Sequence, residues 1–139
     1  MNKPLLYELL DELERNARRL EDLREVPRDE FIAQPRHHLY AERCFQIAIQ
    51  CLLDACTYLA AQRGWERPEH SADAVLLMGR QGVFPVDFAE RIVGMANFRN
   101  ILVHAYLKIN RGRVYDLLAR VEDLRECARH LLSYMDSHE

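Results

Sequence analysis

The sequence predicts an all-α protein, a single domain over residues 1–139 built as a bundle of four to five helices. Three observations carry this expectation. Only five Gly and five Pro punctuate 139 residues, and the stretches between them are rich in Leu, Ala, Glu and Arg, which give up little conformational freedom in a helix. Apolar residues recur at three- and four-residue steps in most of those stretches. No segment alternates apolar and polar residues as a half-buried strand does, and no internal repeat or low-complexity tract interrupts the chain.

Taken in order, Leu6, Leu9, Leu10, Leu13, Ala17 and Leu20 mark an amphipathic first helix, closed by Pro27. The segment "RDEFIAQP" reads as a short turn ending at Pro35, because a proline disfavours helix at the residue before it. A second, long helix runs from about His37 to Gln62. Phe45, Ala48, Ile49, Leu52 and Leu59 form one apolar face, and Cys44, Ile47, Cys51 and Tyr58 form another. Only a thin polar stripe of Arg43, Gln46, Gln50, Asp54 and Thr57 is left, so this is the central helix of the bundle. After the loop "RGWERPEH", Ser71 is a candidate N-cap for a short third helix through Met78. Gly82 stops it, and Pro85 opens a fourth helix that runs through "FRNILVHAY". "NRGR" at 110–113 is turn-like. Beyond it Val114, Leu117, Leu118, Val121, Leu124, Ala128, Leu131, Leu132 and Met135 make the cleanest apolar stripe in the chain.

Composition narrows the function classes. The formal charge is −3, with 49% hydrophobic and 29% charged residues, an ordinary globular balance in which any nucleic-acid contact must come from a local patch. Cys44, Cys51, Cys56 and Cys127 have neither CxxC spacing nor a matching His pair, which argues against zinc. They read as reduced, packed cysteines suited to a cytoplasmic protein. The N-terminus carries acids where a signal peptide needs an apolar core. The most apolar segment, "FQIAIQCLLDACTYLAAQ", is broken by Gln50 and Asp54 and does not read as a membrane span. A di-metal bundle would need Glu-x-x-His pairs on facing helices, and the predicted core helices offer none. No metal or cofactor is expected.

The stretch at 98–106 raises the functional question. It places Arg99, Asn100, His104 and Tyr106 in otherwise apolar packing sequence, where each polar group needs a partner. At about 100° per residue, Arg99 and His104 point about 140° apart, Arg99 and Tyr106 are nearly eclipsed, and Asn100 shares a side with His104. One groove in one unbroken helix therefore does not receive Arg99 and His104 together. Either the helix distorts near "LVH", or the groove is wide, or a second copy supplies the missing partner across a two-fold axis. On spacing alone a structural role stays open: Arg99 paired with Glu42 or Asp54, and His104 capping carbonyls at a helix end.

"RNILVHAY" matches the R-x4-H-x-Y motif of the HEPN superfamily and resembles its HepT-like toxins, the partners of MntA-type minimal nucleotidyltransferases. "YAERCFQIAIQCLLDAC" is similar to that family's long second helix, "GVFPVDFAERIVGMANFRN" to its run into the motif, and "RVYDLLARVEDL" to its last helix. The resemblance covers most of the chain. It implies a four- to five-helix HEPN bundle, a homodimer, and a metal-independent endoribonuclease site at the dimer cleft, in a type VII-like toxin–antitoxin pair.

The residue types fit that chemistry. Cleaving RNA without a metal requires the 2′-hydroxyl to lose its proton, the phosphate charge to be stabilised, and the leaving oxygen to gain a proton. His104 suits the proton transfers, and Arg99 suits a bidentate grip on the scissile phosphate. Asn100 is a supporting candidate, and the polar stripe of the second helix, above all Asp54 and Gln50, is a source of further supporting partners. Lys108, Arg111 and Arg113 are candidates for RNA binding or equally for a solvated turn. Tyr106 is too weak an acid to serve as a base at neutral pH; the resemblance implies that a partner nucleotidyltransferase transfers AMP to it and silences the toxin. From another class, the chain could be a catalytically silent binding module that only pairs with a nucleotidyltransferase. The intact Arg99 and His104 favour the enzyme.

Overall fold

The computed structural model describes residues 3–138. Helix α1 spans Lys3–Leu23, α2 Arg28–Ala33, α3 Pro35–Gln62, α4 Ser71–Arg80, α5 Val86–His104, α6 Arg111–Leu117 and α7 Val121–Ser137. Among the described residues there is no strand. The long helices α1, α3, α5 and α7, with α4, make the expected bundle, and α2 and α6 are short additions.

Helix α3 is the centre. Phe45, Ala48, Ile49, Leu52 and Leu59 are all buried, and so are Cys44 and Cys51 on its other face. Burying a large apolar side chain contributes about 1.5–3 kcal/mol, so this helix anchors its neighbours: α1 lies along it and α5 and α7 pack against it. By length and composition α3 could cross a membrane, but 61% of its most apolar stretch is buried inside the bundle, as in a core helix. All four cysteines are free and buried. Burial pushes the Cys51 thiol up to about 11 and that of Cys56 to about 12.

Charge stitches the outer layer. Arg125 of α7 pairs with Glu14 and Glu21 of α1 and with Glu122 on its own helix. Asn16, fully buried in α1, donates to the Glu12 carbonyl at 2.9 Å and accepts from Arg19 at 3.3 Å. Gly64 and Gly82 carry φ of +71° and +77° where α3 and α4 end, a conformation that strains other residues.

Local expectations are corrected at four places. "RDEFIAQP" contains a helix: Pro27 precedes the first turn of α2, which carries Asp29 and Glu30, where acids offset the unpaired N–H groups. Pro35 still interrupts, with Gln34 extended before it, and then serves as the first residue of α3, a position where its missing N–H costs nothing. His70, not Ser71, flanks the start of α4. Its backbone N–H donates to Asp73 Oδ2 at 3.2 Å, and the helix runs two residues past Met78. "NRGR" opens α6: the Asn110 side chain accepts from the Arg113 N–H at 3.1 Å. The last apolar stripe is divided between α6, a 3-10 turn at Leu118–Arg120 and α7.

Candidate active site

Helix α5 ends at His104 and does not reach Tyr106. Ala105 leaves helical geometry with φ −132° and ψ 43°, and Tyr106–Lys108 form a single 3-10 turn. The motif therefore straddles a helix end. Arg99 and His104 both lie within α5, so their divergence of about 140° stands. Tyr106 is not eclipsed with Arg99; it sits on the turn, 67% exposed, beside Leu107 at 89%.

Arg99 is half-buried and held from two sides. Its Nε donates to Gln50 Oε1 of α3 at 2.8 Å, and its Nη1 donates to Asn100 Oδ1 at 3.1 Å. Gln50 Nε2 in turn donates to Asp54 Oδ1 at 2.7 Å. An ionised carboxylate only accepts, so Asp54 fixes which end of the Gln50 amide faces Arg99. Asn100 Oδ1 also accepts from the Ser71 hydroxyl at 3.3 Å, tying α4 to the motif. The guanidinium has five N–H donors; these two bonds leave the rest available for a phosphate. Neither ion pair open to Arg99 from spacing is present: Asp54 acts through Gln50, and Glu42 lies 3.5 Å from the buried His38.

His104 is solvent-exposed in the last turn of α5. The RNA-binding candidates separate. Arg111 donates to the Ile32 carbonyl at 3.3 Å and thus ties α6 to α2. Lys108 and Arg113 line a groove of about 420 Å³ between α5 and α6. Among the described residues no group of three His, Cys, Asp or Glu side chains could hold a metal ion. Sequence reasoning offered Gln50, with Asp54, as a supporting partner from the polar stripe of this long helix without naming what it would hold, and it gave Ser71 to a helix cap. The contacts of Gln50 with Arg99 and of Ser71 with Asn100 cross 49 and 29 residues of chain, and only the folded bundle brings them together.

The all-helical arrangement of the described residues matches the fold of HEPN toxins. The HepT-like ribonuclease family model matches residues 13–131, and the chain belongs to that family. No curated protein matches the sequence. Among solved structures, the tri-AMPylated HEPN toxin of Shewanella oneidensis in complex with an MNT antitoxin is similar at 17% identity with a TM-score of 0.85, over 96% of this chain and 99% of that one. A toxin–antitoxin solved with AMP-PNP matches at 17% identity and a TM-score of 0.83, over 94% of this chain and 99% of that one. The cytosolic protein YutE of Bacillus subtilis, of unknown function, matches at 17% identity and 0.85, over 99% and 92%. At such identities these likenesses establish the fold.

Proposed function

We propose that this chain is the toxin of a type VII-like toxin–antitoxin pair. It is a metal-independent endoribonuclease that works as a homodimer and is silenced when a minimal nucleotidyltransferase transfers AMP to Tyr106. The observation that carries this reading is the pairing of a pre-oriented Arg99 guanidinium with an exposed His104 imidazole on divergent faces of one helix end. A two-fold axis beside α5 would present each protomer's His104 to the other's Arg99 in one composite cleft.

In that cleft a neutral imidazole accepts the 2′-hydroxyl proton as the 2′-oxygen attacks phosphorus. The leaving 5′-oxygen takes a proton from an imidazolium, the other copy of His104 being available for this. The free guanidinium donors of Arg99 hold the phosphoryl oxygens while charge builds. Asn100, Gln50 and Asp54 keep the guanidinium in place. Tyr106, exposed on its turn, is open to a transferase, and the added phosphodiester brings about one negative charge beside the cationic site.

The test is cleavage of RNA and growth inhibition on expression, with Arg99→Ala and His104→Ala. Each variant is expected to fold normally and to abolish both. A folded variant of either kind that cuts RNA at the wild-type rate refutes the role assigned to that residue.

A further inference from the structure

The groove between α5 and α6 lies on the side of α5 turned away from Arg99. Phe98, Ile101, Ile109 and Leu117 give it an apolar lining, and Lys108 and Arg113 line it as cations. Its volume of about 420 Å³ is within the range of small-ligand sites. His104 follows Ile101 by three residues, about 60° around the helix, so the imidazole stands next to the groove's end.

Two features point to an outside occupant. Among the described residues Lys108 and Arg113 are not in any ion pair, whereas Asp116, an acid on the lining, is engaged by Arg28 at 3.5 Å. Two unneutralised cations thus face one apolar slot in a chain of net charge −3. Gly94, also on the lining, is the second feature: beyond its chain neighbours and the backbone of its own helix turns, a Cβ added there would meet no heavy atom within 4 Å. Packing within the chain does not require glycine, and mid-helix glycine costs about 1 kcal/mol relative to Ala. The open space over it leaves room for another molecule to approach the helix backbone.

We propose that this groove takes an unpaired nucleotide of the RNA strand, next to the one whose phosphate lies between His104 and the other protomer's Arg99. An apolar surface that accepts a base face, with cations tracking the backbone, is how proteins hold single strands. A second copy of the chain fits less well, because a two-fold contact centred on the groove sets Lys108 and Arg113 against their own mates. The proposal rests on the ribonuclease reading above and names where its substrate lies.

The test uses the full chain carrying His104→Ala, so that RNA is bound but not cut. A fluorescein-labelled single-stranded RNA is titrated and read by anisotropy, with light scattering on the same samples. Gly94→Leu, which fills the slot without changing charge, and Ile101→Glu, which puts an anion in its apolar lining, are each expected to weaken binding at least tenfold. Arg113→Glu is expected also to flatten the dependence of log K on log salt by at least one phosphate contact. Both Gly94 and Ile101 are exposed, so circular dichroism should show these variants folded. Undiminished RNA binding by Gly94→Leu and Ile101→Glu overturns the groove assignment while leaving the nuclease reading intact. Loss of the dimer in those variants, with RNA affinity per chain unchanged, overturns it in favour of a self-interface. A His104→Ala chain that does not bind RNA, together with a wild-type chain that does not cut it, overturns both.

Discussion

Replacing Gln50 with Leu removes the acceptor that holds Arg99 Nε at 2.8 Å while keeping similar bulk on α3. A hydrogen bond to a charged group is worth about 1.5–3 kcal/mol when its partner is simply removed. Arg99 is only half-buried, so water recovers part of this and the lower end applies. At about 1.36 kcal/mol per decade, the expected loss in kcat/KM is about tenfold, well short of the abolition expected for Arg99→Ala. The loss should fall mainly on kcat, because the misplaced guanidinium matters most as charge builds on the phosphate. Asp54→Asn should act in the same direction but more weakly, by about 0.5–1.5 kcal/mol, since an amide there no longer dictates how the Gln50 amide is turned. The assay is steady-state cleavage of a quenched fluorescent RNA, with thermal melting to show that each variant is folded. A folded Gln50→Leu protein within twofold of wild type would refute the idea that α3 orients Arg99. Unchanged activity and pH profile in Asp54→Asn would remove that carboxylate from the site.

Three further outcomes are expected. Light scattering at micromolar concentration should show a homodimer, and a monomer would sink the composite cleft. Incubation with a partner nucleotidyltransferase and ATP should add AMP to the wild type, detected by intact mass. Tyr106→Phe should stay toxic and gain nothing; AMP on that variant, or its full neutralisation, would place the switch elsewhere. Gly79→Ala should lower the unfolding midpoint in urea. A Cβ there lies 2.8 Å from the Ala89 Cβ, and forcing α4 and α5 apart costs about 1–3 kcal/mol against about 1 kcal/mol gained in helix propensity; a higher midpoint would show that the pair separates freely.

The bundle was readable because hydrophobic periodicity is a property of neighbours in sequence. Phe45, Ile49 and Leu52 recur along one face and are buried together, as their spacing requires. Where one local rule overrode another, the reading slipped: Pro35 suggested a turn, while Asp29 and Glu30 were already placed for the first turn of α2. Asn110 is a readable N-cap that the glycine in "NRGR" obscured. The end of α5 had no such cue, because "LVHAYL" contains neither Gly nor Pro. The divergence of Arg99 and His104 followed from helix geometry alone. What held Arg99 did not, because Gln50, Asp54 and Glu42 all lie on α3 as candidate partners. Only the docking of α5 against α3 selects the neutral amide.

The four buried thiols have a practical consequence. Thiolate is the form that reacts with alkylating agents, and Cys51 and Cys56 are pushed up to about 11 and about 12, leaving almost none of it at neutral pH. The native fold is in effect silent to thiol dyes. A single cysteine introduced on an exposed turn can therefore carry a fluorophore without stripping the natural ones from the core. As the bundle opens, the four native sulfurs become a built-in clock for global unfolding, since each must leave the interior before it can be tagged.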